Sequence, residues 1–273
     1  LSPSSAASDV YKRQPQVGAI MLQNEIAKNV VPPIPLDVAN AETQALIGYM
    51  IQQSLKNELL RRGINREIIT LITQVVVDKD DPAFKIPTKF IGPYYTEEEA
   101  KKIMQEKGWV VKPDPRGGWR RVVPSPDPKD IVEKDIIRDL VDQGFIVITA
   151  GGGGIPVIKT GTGYEGIEAV IDKDLASALV GRIVKADTLL ILTDVEYVKL
   201  NYGKQNEISL EKLRVSEAEK YYEEGHFPPG SMGPKILACI RFIKWGGSRG
   251  IIGHLEKAID ALEGRSGTVI IPD

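Results

Sequence analysis

Sulfur and imidazole are scarce in this chain. Among 273 residues there is one cysteine, Cys239, and there are two histidines, His226 and His254. A single thiol cannot close an intrachain disulfide, and so little cysteine suits a reducing cytoplasm. A zinc site of the Cys/His type would run short of ligands. Long apolar runs are also missing: none approaches the ~20 residues of a membrane helix, so no span is expected. The opening segment LSPSSAASDVYKRQ is polar and holds no apolar stretch of the kind a secretory signal needs. Excess charge of either sign is absent, with 35 Lys+Arg against 37 Asp+Glu. That balance gives no general field for nucleic acid or an anionic membrane. Basic residues therefore matter only where they converge locally.

What is present is an α/β alternation. Residues 1–14 carry no strand or helix period and read as a foreign or disordered leader, ahead of one domain over 15–273. Helical spacing marks 16–29 and then a long helix over 37–62, with Ala41, Ala45, Ile47, Ile51, Leu55 and Leu59 on its expected apolar stripe. Ile68 to Val77 reads as one buried strand. The stretch 78–126 is rich in proline, is interrupted by a short helix near 97–107, and suits a protruding lid subdomain. Beyond it helices are expected at 128–143, 174–185, 216–224, 234–244 and 254–263. Strands are expected at 145–149, 188–193, 250–252 and 268–271. Strands alternating with helices imply a mostly parallel central sheet covered on both faces.

Four features could carry chemistry. Gly151-Gly152-Gly153-Gly154 directly follows the strand FIVITA. Such a run can point successive N–H groups at a phosphate, or it can serve as a flexible turn. No Gly-Lys-Ser/Thr follows, so it is not a Walker loop. Asp172-Lys173-Asp174 precedes an amphipathic helix, which places Lys173 at a helix start where anions are already favoured. Asp174 could hold that ammonium or approach Mg²⁺, or the pair could be a solvated helix cap. Lys235, after Pro234 at a second helix start, and Lys89 in the lid stretch each admit an ordinary surface reading as well. Arg116, Arg120 and Arg121 around Trp119 fit either an anion patch or packed stems. His226, His254 and Cys239 read as structural. Several lysines beside a glycine bend, with histidine and cysteine scarce, suit phosphoryl transfer, which needs positioning and charge neutralisation more than covalent help.

The strings TQVVVD (73–78), PTKFIGP (87–93), GWRRVVPSP (118–126), ITAGGGGIPVI (148–158), EAVIDKDLAS (168–177) and GHFPPGSMGPKI (225–236) together resemble carbamate kinase, in order and spacing. The resemblance covers residues 15–273. It implies an amino-acid-kinase fold, a three-layer sandwich with a mostly parallel central sheet and a protruding lid. By resemblance Lys173 and Lys235 serve the transferring phosphates, Asp174 organises them, and Lys89 reaches in from the lid. Thr193, Asp194, Tyr197, Lys204 and Met232 lie in stretches that line the nucleotide pocket. Gly18 is the remnant of a second glycine-rich loop, in Pro15-Gln16-Val17-Gly18, and with Gly151–Gly154 is expected to bind substrate phosphate. The resemblance also implies ATP/ADP with Mg²⁺, carbamoyl phosphate as substrate, no metal ligand from the protein itself, a cytoplasmic homodimer, and ATP synthesis from arginine or another carbamoyl source. The family's opening strand and Gly-Gly-Asn loop are expected to be missing here. Loss of one preorganised donor costs about 10²–10³ in rate. Two alternatives stay open: a nucleotide-binding chain with impaired catalysis, and another amino-acid kinase acting on a carboxylate.

Overall fold

The computed structural model describes residues 16–114 and 117–273. The expected leader at 1–14 and Arg116 lie outside the described residues. The chain divides into two compact units, one ending at Lys173 and one spanning Asp174–Asp273.

The first unit opens with α1 (Gln16–Ala27) and α2 (Leu36–Arg61), followed by β1 (Ile68–Thr70) and β2 (Gln74–Val77). Next come β3 (Lys89–Tyr95), α3 (Glu97–Lys107), β4 (Val111–Pro113) and β5 (Trp119–Val123). It closes with β6 (Pro128–Ile131), α4 (Lys134–Asp142), β7 (Ile146–Ile148), β8 (Ile155–Lys159) and β9 (Tyr164–Gly166). β1 pairs with β7 in parallel. A four-stranded sheet runs β6-β2-β8-β9, with β2 and β8 parallel and the outer pairs antiparallel.

The proline-rich stretch builds its own antiparallel sheet, β3-β5-β4. α3 there is delimited by sequence: Thr96 and Glu99 form a reciprocal capping box, and Gly108 ends the helix at φ 64°. A small core of Leu36, Ile91, Val123 and Val170, with Val17 and Met21 against it, fastens that sheet to α1 and α2.

Three expectations in this unit need correction. The run 68–77 is two strands in different sheets, and Thr73, at the break between them, serves as a polar hub. Its N–H donates to Gln44 Oε1 at 3.1 Å, and Gln44 Nε2 donates back to its carbonyl at 3.2 Å. The same partner decides which face of α2 is buried. Leu36, Ala39, Asn40, Thr43, Gln44 and Gly48 point inward, whereas Ala45 and Ile51 of the expected stripe are exposed. Asn40 Nδ2 donates to the Ala169 carbonyl at 3.2 Å, so hydrogen bonds orient this helix more than apolar burial does. The helix expected over 128–143 likewise begins only at Lys134, since Pro128–Ile131 pairs with β2.

The second unit contains α5, which runs Lys173–Ile183 and so starts on the last residue of the first unit. It continues with β10 (Thr188–Thr193), β11 (Val198–Leu200), β12 (Ile208–Leu210), β13 (Lys212–Arg214), α6 (Val215–Glu223) and α7 (Met232–Lys244). β14 (Arg249–His254), α8 (Ala258–Leu262) and β15 (Thr268–Ile271) complete it. The sheet order is β10-β14-β15-β13. β10 and β14 are parallel from Thr188↔Arg249 to Thr193↔His254, and β14 and β15 are antiparallel. α7 buries Ile236, Ala238, Cys239, Ile240, Phe242 and Ile243, and these join Leu189, Ile191, Ile252 and Ile270 of the sheet in one core. The hairpin β11-β12 stands apart from that sheet, tied to it by Thr268 Oγ1, which accepts from Val198 N at 2.8 Å.

Candidate active site

The glycine bend lies at the carboxyl end of β7. Ala150 enters it at φ 50°, and its N–H donates to Thr73 Oγ1 at 3.0 Å. Gly153 N donates to Ala150 O and Gly154 N to Gly151 O, at 3.0 and 3.1 Å. Those two N–H groups are thus taken up inside the turn, which is the turn reading for this half of the run. Gly153 and Gly154 are buried at φ 109° and 85°. A Cβ on Gly153 would overlap the Ile171 carbonyl oxygen, and one on Gly154 the Val75 side chain. Backbone conformation and close packing therefore demand glycine at both. Gly151 and Gly152 are the exposed pair on which any cradle must rest.

From the same unit, Lys89 Nζ lies 2.9 Å from Asp172 Oδ2. Lys89 opens β3, and Asp172 is the residue immediately before α5. Lys173 is the first residue of that helix, as its spacing predicts, and Asp174 the second. Gly18 is placed differently from the expected loop: it is the third residue of α1 and buried.

In the second unit, Asp174 Oδ2 accepts from Lys235 Nζ at 2.8 Å, and both side chains are nearly enclosed. α7 begins at Met232, so Pro234 is its third residue and Lys235 its fourth, two positions later than expected. Proline is tolerated there because the first-turn N–H groups have no helical partner. Cys239, one turn further on, is fully buried. Burial pushes its thiol pKa well up, the Asp174 charge adds to the rise, and Lys235 opposes it.

A cavity of about 240 Å³ opens beside this pair. Thr193, Asp194, Tyr197, Met232 and Lys235 line it, which brings together five residues marked in the sequence. Thr193 Oγ1 donates to Asp194 Oδ1 at 3.0 Å. Lys204 is not in the lining. It sits exposed in the β11-β12 turn, where its N–H bonds Asn201 O. Lys199, Tyr202, Phe227, Pro228 and Ser231 are further wall residues that sequence reading missed. Phe227, Pro228 and Ser231 stood in the quoted string GHFPPGSMGPKI and could have been taken from it. Tyr202 and Lys199 depend on the hairpin, whose strands of three residues each are too short for their alternation to mark them.

The arginines of the lid stretch form no anion patch among the described residues. Arg120 is buried, bonds Asp114 at 3.0 Å and lies over the Phe90 and Tyr94 rings. Arg121 stacks 4.1 Å from the Trp109 ring centroid. His226 packs edge-on to Tyr221, and His254 Nδ1 accepts from Glu256 N. Among the described residues no helix is long and apolar enough to cross a membrane. Among the same described residues, no group of three or more His, Cys, Asp or Glu is placed to hold a metal.

A profile of the amino acid kinase family matches residues 39–254. The carbamate kinase of Pyrococcus horikoshii is 58% identical over 94% of this chain and 83% of its own length. That of Clostridium perfringens is 48% identical over 97% and 85%. Carbamate kinase from Giardia lamblia bound to AMP-PNP superposes with a TM-score of 0.88 at 43% identity, over 98% of this chain and 89% of its own. Family profile, relatives and fold agree: the chain belongs to the amino acid kinase family, among its carbamate kinases.

Proposed function

We propose that the chain transfers a phosphoryl group reversibly between ATP and carbamate, running toward ATP synthesis from carbamoyl phosphate. One observation carries the reading: Lys235, held by an enclosed Asp174, stands in the wall of a cavity of about 240 Å³. In the direction that phosphorylates carbamate, a carbamate oxygen attacks the γ-phosphorus, and ATP synthesis is the reverse of this step. The new O–P bond forms as the bond to the ADP oxygen breaks, and no proton need move, because carbamate is already anionic. Such a transition state asks the protein for fixed positive charge. Lys173 and Lys235 are assigned to it, Asp174 keeps Lys235 aimed, and Lys89 acts from the lid. The exposed Gly151 and Gly152 are assigned to substrate phosphate, and Thr193, Asp194, Tyr197 and Met232 to the nucleotide. Mg²⁺ is commonly held by one or two carboxylates plus substrate phosphates. The exposed carboxylate of Asp194 on the cavity wall fits that role. When bound, Mg²⁺ neutralises phosphate charge.

A cytoplasmic homodimer serving the breakdown of arginine or another carbamoyl compound belongs to the same reading, as does motion of residues 78–126 as a lid. The test is ATP formation from ADP and carbamoyl phosphate. Nucleotide binding without any ATP formed would favour the non-catalytic alternative.

A further inference from the structure

We propose that Asp172 is a positioning residue that fixes the ε-ammonium of Lys89 relative to the start of α5. The proposal rests on the kinase reading for its kinetic part only.

The segment 168–172 runs along the β3-β5 sheet and is attached to it at three successive points. Arg121 Nη2 approaches Glu168 Oε2 at 3.4 Å, Val170 N donates to the Pro124 carbonyl at 2.9 Å, and Lys89 Nζ meets Asp172 Oδ2 at 2.9 Å. The three points differ in worth. Glu168 is 62% exposed and its contact is long, so that pair is screened and weak. The backbone bond fixes the segment but no side chain. Only the third holds a lysine assigned to the site, and it is partly sheltered, with 35% of the Lys89 side chain and 14% of the Asp172 side chain exposed.

A free lysine stem samples many rotamers, and ordering it on binding costs entropy. A short charge-assisted bond to a carboxylate already fixed by the backbone removes that cost beforehand. Asp172 is covalently joined to Lys173. Whatever orients the one lysine therefore registers it against the first residue of the helix that carries the other. Asp172 itself need touch no substrate.

Two measurements test this. In wild-type chain the Lys89 amine should react slowly with an acetylating reagent, followed by mass spectrometry. Asp172→Asn should accelerate labelling at Lys89 severalfold and leave other lysines unchanged. In the kinetic arm, Asp172→Asn should lower kcat/KM for carbamoyl phosphate by about tenfold, the scale of one charge-assisted bond, with KM for ADP within about twofold. In a Lys89→Met background the same substitution should have no further effect, because the two act as one unit. Asp172→Glu, which keeps the charge, should recover part of the loss and substitutes if the Asn variant does not fold. Unchanged Lys89 labelling, or equal kinetic loss in both backgrounds, overturns the proposal. A wild-type chain that forms no ATP removes the kinase reading, and the labelling arm still decides whether Asp172 holds Lys89.

Discussion

Lys235 Nζ stands 2.8 Å from Asp174 Oδ2, and the two side chains keep 13% and 8% of their surface in solvent. A pair this enclosed stabilises little against well-packed apolar residues, yet removing one member strands the other.

Asp174→Ala should therefore destabilise the fold by about 3 kcal/mol, the scale for an uncompensated buried charge. The double variant Asp174→Ala, Lys235→Met should regain most of that loss in urea unfolding. Activity should not return, since the lysine is assigned to the transferring phosphate. Recovery of turnover in the double variant would remove Lys235 from the mechanism.

Lys173→Ala should lower turnover by about 10²–10³, the scale of one lost preorganised donor. The measurement is ATP formation with saturating ADP and carbamoyl phosphate. Unchanged turnover would defeat the assignment.

The glycine bend should discriminate sharply between neighbours. At Gly152 (φ 67°) a Cβ would meet nothing within 4 Å, so Gly152→Ala pays only for its backbone conformation, about 1 kcal/mol. Gly153→Ala adds an overlap with the Ile171 carbonyl, and Gly154→Ala one with Val75. Each should cost roughly 2 kcal/mol more, on the scale of an overpacked site. Thermal unfolding of the three variants gives the order directly.

Cys239 predicts a pH dependence. Its thiol pKa is raised in the folded chain, so between the ordinary value of 9.0 and the raised one the unfolded chain has lost its proton while the folded chain keeps it. Stability from this group is flat below that window and falls within it by about 1.4 kcal/mol per pH unit. Cys239→Ala should flatten the alkaline limb of the curve. An alkaline limb unchanged in the variant would show that the thiol plays no part.

Met232→Ala should raise KM for ADP by about tenfold, through lost packing against a nucleotide in the cavity it lines. Lys204→Ala should leave KM within about twofold, since Lys204 is outside that lining. The reverse order would mean that the hairpin turn closes onto the nucleotide.

How much of this was legible depended on how local its cause is. The start of α5 at Lys173 and the strand Thr268–Ile271 follow from residues adjacent in sequence, and both were readable. The capping pair Thr96 and Glu99 is equally local. By contrast, nothing near 68–77 announces that Thr73 is engaged by Gln44, 29 positions earlier. The strand break and the buried face of α2 both follow from that distant pair. Asp172 stood in a quoted string and received no role, because its partner Lys89 is 83 residues away. The cavity wall was half readable for the same reason: Met232 and Lys235 share the first turn of α7, while Lys199 and Tyr202 arrive on a hairpin whose strands of three residues each are too short for their alternation to stand out.

The inward face of α2 presents amides and hydroxyls to fixed backbone groups, and this changes what the helix can tolerate. Greasy surfaces slide at small cost, whereas a helix gripped through Asn40 and Gln44 has one rotational setting and no near neighbour of comparable energy. Substituting leucine at those two positions should leave a chain that still collapses but misplaces Thr73 and, with it, the loop after β7. For this helix, polarity inside the protein acts as an indexing device.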